Sequence, residues 1–140
     1  MKKGFCLALV LVFALLLSAS AESMLVHISA VCYDVNHVGK DWKGYFSIGD
    51  YQIFDGDVIE LDLAKYVLYS EITDYDVSPD VGYAEKNINV TLNRLQKGFT
   101  VDQVVTVQEN QGAYTGYWTE WYVSFSFTPV SGAWVLDCRY

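Results

Sequence analysis

Basic residues, histidines and catalytic motifs are scarce in this chain, and each scarcity argues against a class of function. Nine lysines and arginines stand against 17 acids among 140 residues, which gives a formal net charge of −8. Such a charge disfavours nucleic acid and anionic lipid as direct partners, because both are polyanions. The two histidines, His27 and His37, are not spaced with the cysteines as zinc ligands. The motifs Gly-x-Ser-x-Gly and His-Glu-x-x-His are both missing, so we predict a protein that is not an enzyme.

A hydrophobic run long enough to span a bilayer is also missing. The one continuous apolar segment covers residues 5–17 and follows Lys2 and Lys3. A short apolar run behind a positive start and ahead of small residues is typical of a secretory signal peptide. We therefore predict a signal peptide over residues 1–21, cleavage before Glu22, and a secreted or extracytoplasmic protein.

The remaining residues, 22–140, have the length of a single domain with its own core. Loss of Lys2 and Lys3 would change the net charge from −8 to −10. Two cysteines remain, Cys32 and Cys138. In an oxidising compartment such a pair is read as a disulfide, and two reduced thiols are the alternative.

Helical periodicity is nearly absent, and a period of two replaces it. Residues 117–127 place Trp121 and Phe125 on one face and Trp118 and Tyr122 on the other. This alternation is typical of a β-strand with one buried face.

Similar patterns recur along the chain between turn residues. They predict further strands over residues 24–32, 58–63, 65–72, 85–92, 101–109 and 133–138, and over 44–54 with a turn at Gly49-Asp50. Residues 73–83 are predicted as a loop, residues 92–97 as a short helical turn, and Leu92 as an inward-facing residue. About eight short strands with regularly spaced turns predict an all-β protein, an antiparallel β-sandwich. A closed barrel is the alternative.

An acidic segment interrupts this pattern between two predicted strands. It carries four carboxylates within ten residues, namely Glu71, Asp74, Asp76 and Asp80. Calcium binds six to eight oxygen ligands, and clustered carboxylates repel one another unless a cation or water relieves them. The same residue types are common in surface turns, so a solvated loop is the other interpretation.

The order Asp74-x-Asp76, a turn, and then Asp80-Val81-Gly82 resembles the third calcium loop of the C2 domain family. Upstream, Asp34 and Asp41 take the places of the two acids of that family's first calcium loop. The resemblance implies a C2-like sandwich of eight strands that binds calcium at one end and phospholipid beside it. The metal ligands that it implies are Asp34, Asp41, Asp74, Asp76 and Asp80. The chain lacks the family's polybasic strand, and an immunoglobulin-like sandwich is the alternative fold.

Exposed aromatic residues suggest a second kind of site, without metal. Trp118 and Tyr122 share one predicted strand face, and Trp42 is a further candidate. Such rings stack on sugars or on a partner protein, although they also pack against neighbouring strands. The predicted partner is therefore an unidentified protein, glycan or membrane surface.

Overall fold

The computed structural model describes residues 22–33 and 39–130, which form eight strands and one short helix. The strands are β1 (Glu22–Tyr33), β2 (Trp42–Ile48), β3 (Tyr51–Gln52), β4 (Val58–Leu61), β5 (Lys65–Asp74), β6 (Asp80–Asn89), β7 (Phe99–Gln108) and β8 (Trp118–Pro129). The helix α1 covers Leu92–Lys97, and a 3₁₀ turn covers Gly112–Tyr114. The predicted signal peptide, Asp34, His37, Cys138 and the strand predicted over 133–138 lie outside the described residues.

The strands form two separate four-stranded sheets with antiparallel neighbours. The first sheet has the order β4-β1-β8-β7 and the second the order β3-β2-β5-β6. The prediction of an all-β antiparallel sandwich of about eight strands is confirmed. The closed barrel is not observed, since the strands divide into two sheets rather than one continuous ladder.

The core lies between the two sheets and follows the predicted alternation. On β8, the side chains of Val123, Phe125 and Phe127 are buried, as the two-residue period predicts. Phe125 meets Phe46 of the opposite sheet with ring centroids 5.6 Å apart in an edge-to-face contact. Burial of each such side chain stabilises the fold by about 1.5–3 kcal/mol, so these rows hold the two sheets together.

The edge strands β6 and β7 close one side of the sandwich by a close backbone approach. A Cβ added at Gly82 would lie 2.2 Å from the carbonyl oxygen of Thr106. Only glycine leaves the backbone room for this contact. A buried polar link lies deeper between the same sheets, where Gln103 of β7 bonds Ser70 and Leu68 of β5.

Two local predictions are wrong. The loop predicted over residues 73–83 is shorter, because β5 continues to Asp74 and β6 begins at Asp80. Leu92 does not face the core but is half exposed in the first turn of α1. The helical turn predicted over residues 92–97 is confirmed, and it ends the alternation that had placed Leu92 inside.

Candidate metal centre

One end of the sandwich gathers carboxylates from both sheets. Asp74 ends β5 and lies opposite Asp80, the first residue of β6. Glu109 follows the last residue of β7, which belongs to the other sheet. The five residues between β5 and β6 carry Asp76. Hairpin pairing and the packing of the two sheets therefore bring together acids that are far apart in the sequence.

Three of these acids converge on a single point. One carboxylate oxygen from each of Asp74, Asp76 and Glu109 lies within 4.8 Å of the others. Asp74 is 0 % exposed and Glu109 is 7 % exposed, whereas Asp76 is open to solvent. We call these three residues the acidic triad. Two of its carboxyl groups are inside the protein and the third faces water.

Asp74 is the most buried member of the acidic triad. Its Oδ1 accepts only a long hydrogen bond from the backbone N–H of Lys40, at 3.4 Å. Its Oδ2 has no hydrogen-bond partner among the described residues. Gly39 covers this oxygen so closely that an added Cβ would lie 2.4 Å from it. A buried carboxylate in this position is costly unless a cation or a proton compensates it.

Asp80 lies beside the acidic triad and links it to the β7–β8 connection. Its Oδ1 accepts hydrogen bonds from the side chain of Asn110 at 2.7 Å and from the backbone N–H of Asn110 at 3.2 Å. Its Oδ2 is buried and accepts no other hydrogen bond from the described residues. A proton on Glu109 would be held between the carboxyl groups of Glu109 and Asp80.

Burial raises the pKa of Glu109 above its usual range. The negative charge of Asp80 acts in the same direction, as do a hydrogen bond with Asp80 and the charge of Asp76. A backbone hydrogen bond from Gln111 opposes the rise of this pKa. Two carboxyl groups that share a site cannot both ionise freely. The electrostatics therefore favour the uptake of positive charge, as a proton or as a metal ion.

Buried polar atoms without a partner are concentrated near this end. In the described part of the chain they are Asp74 Oδ2, Asp80 Oδ2, Thr119 Oγ1 and Trp121 Nε1. Thr119 begins the inward row of β8 and lies opposite Val107. The ring of Trp121 packs on that of Trp42, at 5.2 Å, and Trp42 is the cross-strand neighbour of Asp74. Buried polar groups are nearly always paired, so these atoms could still bond a water molecule or an ion.

The structure brings together some of the predicted metal ligands but not all of them. Asp74 and Asp76 belong to the acidic triad, and Asp80 adjoins it. The carboxylate of Asp41 is exposed and does not belong to the triad; its backbone carbonyl accepts a hydrogen bond from Tyr75 N at 2.8 Å. Asp34 lies outside the described residues.

Glu109 was missed by the sequence analysis, although the sequence contained a sign of it. The inward row of β7 continues in steps of two into Glu109, after Val101, Gln103, Val105 and Val107. An acid that continues an apolar inward row is unusual, because acids are almost never fully buried unless they are paired.

The aromatic candidates divide into two groups. Trp118 and Tyr122 lie partly exposed on the outer face of the first sheet, and Tyr122 contacts Tyr33 with ring centroids 4.8 Å apart. Trp42 is half-buried against Trp121 between the sheets. Cys32 is half-buried near the end of β1, and its predicted disulfide stays a prediction because Cys138 lies outside the described residues.

Comparison of the chain with protein-family models, with curated proteins and with solved structures gave no match. Among the helices of the described residues, none has the length and apolar character needed to cross a bilayer.

Proposed function

We propose that this protein is an extracytoplasmic, non-enzymatic binding module that holds a calcium ion at one end of a C2-like β-sandwich. The acidic triad of Asp74, Asp76 and Glu109 supplies the ligands, with Asp80 beside it. The observation that carries the proposal is the convergence of three carboxylate oxygens within 4.8 Å at Asp74, a buried aspartate whose Oδ2 has no partner among residues 22–33 and 39–130.

The chemistry of the donor set favours calcium over other metals. All the donors are carboxylate oxygens, which hard cations prefer, whereas zinc and copper sites are usually built with nitrogen or sulfur. Within the described residues the only ion pair joins His27 and Asp55, so no lysine or arginine pairs with the triad. Calcium also tolerates irregular geometry and completes its shell with water, whereas magnesium requires a near-octahedral arrangement.

The predicted signal peptide would place this module where calcium is abundant, so a weak site would stay filled. Its partner is an unidentified protein, glycan or membrane surface. Nucleic acid is disfavoured by the charge of −8.

Calcium titration by isothermal calorimetry tests the proposal. The Asp76→Asn variant should weaken calcium binding by about tenfold or more, since one charged ligand is lost. Asp76 is exposed, and an asparagine keeps the acceptor that bonds the N–H of Ser78, so the fold should be preserved. The matched control is Asp50→Asn, in the turn that follows β2 at the opposite end of the sandwich. Absence of calcium binding in the unaltered protein would refute the proposal.

A second candidate function is metal-independent binding of a partner protein or glycan on the outer face of the first sheet. Val31, Tyr122 and Val104 are exposed and stand in one row across β1, β8 and β7. Trp118 lies further along the same face of β8. Partner binding that a chelator leaves unchanged, and that Tyr122→Ser weakens, would favour this function.

A further inference from the structure

The acidic triad is joined by backbone hydrogen bonds to a pair of exposed tyrosines in the β7–β8 connection. Glu109 N donates to the carbonyl of Tyr117, and Gly116 N donates to the carbonyl of Glu109, both at 2.9 Å. Gly116 and Tyr117 therefore both lie opposite Glu109, where the chain returns towards β8. These two bonds hold the backbone of Tyr117 beside that of Glu109, a member of the acidic triad.

Tyr114 extends this aromatic surface. Its ring centroid lies 5.7 Å from that of Tyr117, with the planes tilted by 41°. Tyr114 is 46 % exposed and Tyr117 is 48 % exposed. We call these two residues the tyrosine pair. Large rings that stay open to water beside a polar site are typical of ligand-contacting surfaces.

The connection that carries the tyrosine pair is fastened to the acidic segment at two further points. Asn110 donates two hydrogen bonds to Asp80, and Ser78 Oγ donates to Gln111 Oε1 at 2.9 Å. Both contacts join the β5–β6 hairpin to the β7–β8 connection. The backbone that holds the tyrosines is therefore hydrogen-bonded to the segment that supplies the acids.

An ion in the acidic triad would have coordination positions left for a ligand. Calcium takes six to eight oxygens, and the three converging carboxylate oxygens, one from each residue, would fill three of these positions. Asp76 faces solvent, so the open side of the ion would face outward. Asp74 is completely buried, and its oxygen without a partner among the described residues would hold the ion from within.

The charge around the site selects the kind of ligand. The site is formed by residues 39–43, 74–80 and 109–117. These segments carry two lysines and five carboxylates, namely Lys40 and Lys43 against Asp41, Asp74, Asp76, Asp80 and Glu109. With a divalent ion added, the site still has no excess positive charge. A phosphate or sulfate group that ligated the ion would therefore be repelled by the surrounding carboxylates, whereas neutral hydroxyl groups can complete the shell of the ion without that repulsion.

We propose that the ligand of the calcium-loaded site is a neutral saccharide, which binds the ion through adjacent hydroxyl groups and stacks a sugar ring on the tyrosine pair. This inference rests on the proposed calcium function and names the ligand class of the same site. It differs from what the C2 resemblance implies, because an anionic phospholipid would be repelled by the carboxylates around the ion.

Affinity electrophoresis of the whole protein in gels that contain glucan, mannan, galactan or xylan tests this proposal. We expect at least one polysaccharide to retard the protein in calcium and not in chelator. Tyr117→Ala should weaken that binding about tenfold while calorimetry finds calcium binding unchanged. Tyr51→Ala, which removes an exposed ring on β3 at the far end, should leave both unchanged.

The outcomes separate the two proposals. Calcium binding without retardation by any of the four polysaccharides would overturn the saccharide proposal and leave the calcium proposal intact. Calcium-dependent binding to heparin or to phosphatidylserine vesicles would overturn it as well, since both probes are anionic. Absence of calcium binding would refute the proposed function itself.

Discussion

Asp74 is completely buried, and the oxygen that Gly39 covers has no partner among the described residues. Without a cation, this carboxylate should destabilise the fold. We expect Asp74→Asn to raise the free energy of unfolding in chelator, by about 1–3 kcal/mol, because a neutral amide replaces a poorly compensated charge. The same variant should lose the stabilisation that calcium gives to the unaltered protein.

Thermal unfolding in chelator and in calcium measures both effects. Asp50→Asn serves as the control, because Asp50 is an exposed turn residue away from the triad. A destabilised Asp74→Asn protein in chelator would mean that the charge of Asp74 is already compensated by the protein.

The raised pKa of Glu109 predicts how stability and calcium affinity depend on pH. The folded protein holds this proton more tightly than the unfolded chain, because burial and Asp80 oppose ionisation. In chelator, the stability that this proton contributes is complete below the ordinary carboxyl pKa and is lost as pH rises through the raised value. Calcium binds the ionised form, so its affinity should increase with pH over the same window.

Chemical unfolding across this pH range, in chelator, compares the unaltered protein with Glu109→Gln. The glutamine variant should lose this part of the pH dependence, because the amide does not titrate there. If the free energy of unfolding changed with pH equally in both proteins, the pH dependence would come from other acids.

At the scale of the secondary-structure elements, the hairpin of β5 and β6 positions most of the site. Its alternation was visible in the sequence, but its length was not. Thr73, Asp74 and Asp80 have the composition of a loop, yet they pair and are buried. Cross-strand pairing and the packing of β6 on β7 override local composition at these positions.

The contribution of β7 to the site was equally hard to foresee. Asp74 and Asp76 are close in sequence, so their proximity could be predicted. Glu109 lies far from them in the chain and reaches them because β6 and β7 lie side by side as edge strands of different sheets. A single sequence gives the alternation of a strand but not which edge it will lie against.

The approach of β6 to β7 yields a prediction for Gly82→Ala. The added Cβ would meet the backbone of Thr106 at 2.2 Å, so one of the two strands must shift. We expect a loss of about 1–3 kcal/mol in the free energy of unfolding, and weaker calcium binding because Asp80 and Glu109 move apart. Val81→Ala, at the exposed neighbouring position, should have little effect on either measurement. Equal stability of the two variants would contradict this close approach.

The hydrogen bonds between β5 and β7 give a prediction about whether the side chains of Gln103 and Ser70 stabilise the fold jointly. Gln103 donates to the carbonyl of Leu68 at 2.8 Å and accepts a hydrogen bond from the hydroxyl of Ser70. Gln103→Leu should lower the free energy of unfolding by about 1–3 kcal/mol, since buried polar groups are left without partners. Adding Ser70→Ala should recover part of the loss in urea unfolding. Fully additive losses would mean that the two side chains are not coupled.

At the scale of the whole molecule, the proposed ion joins the two sheets. Asp74 and Asp76 lie at the end of β5 and in the β5–β6 turn, and both strands belong to one sheet. Glu109 follows β7, which belongs to the other sheet. An ion held by all three would be lost when the sheets separate, so calcium binding should be coupled to global unfolding rather than to a local loop. The same coupling would extend to the tyrosine pair through Glu109 and Asn110.

Thermal unfolding of the purified protein in millimolar calcium and in chelator tests this central claim most directly. A site filled at a hundred times its dissociation constant stabilises the folded state by about 2.7 kcal/mol, which corresponds to several degrees in a domain of this size. We expect a shift of that order for the unaltered protein and for Asp50→Asn, and little or none for Asp76→Asn. An unfolding temperature that is identical in calcium and in chelator would contradict the proposed calcium site.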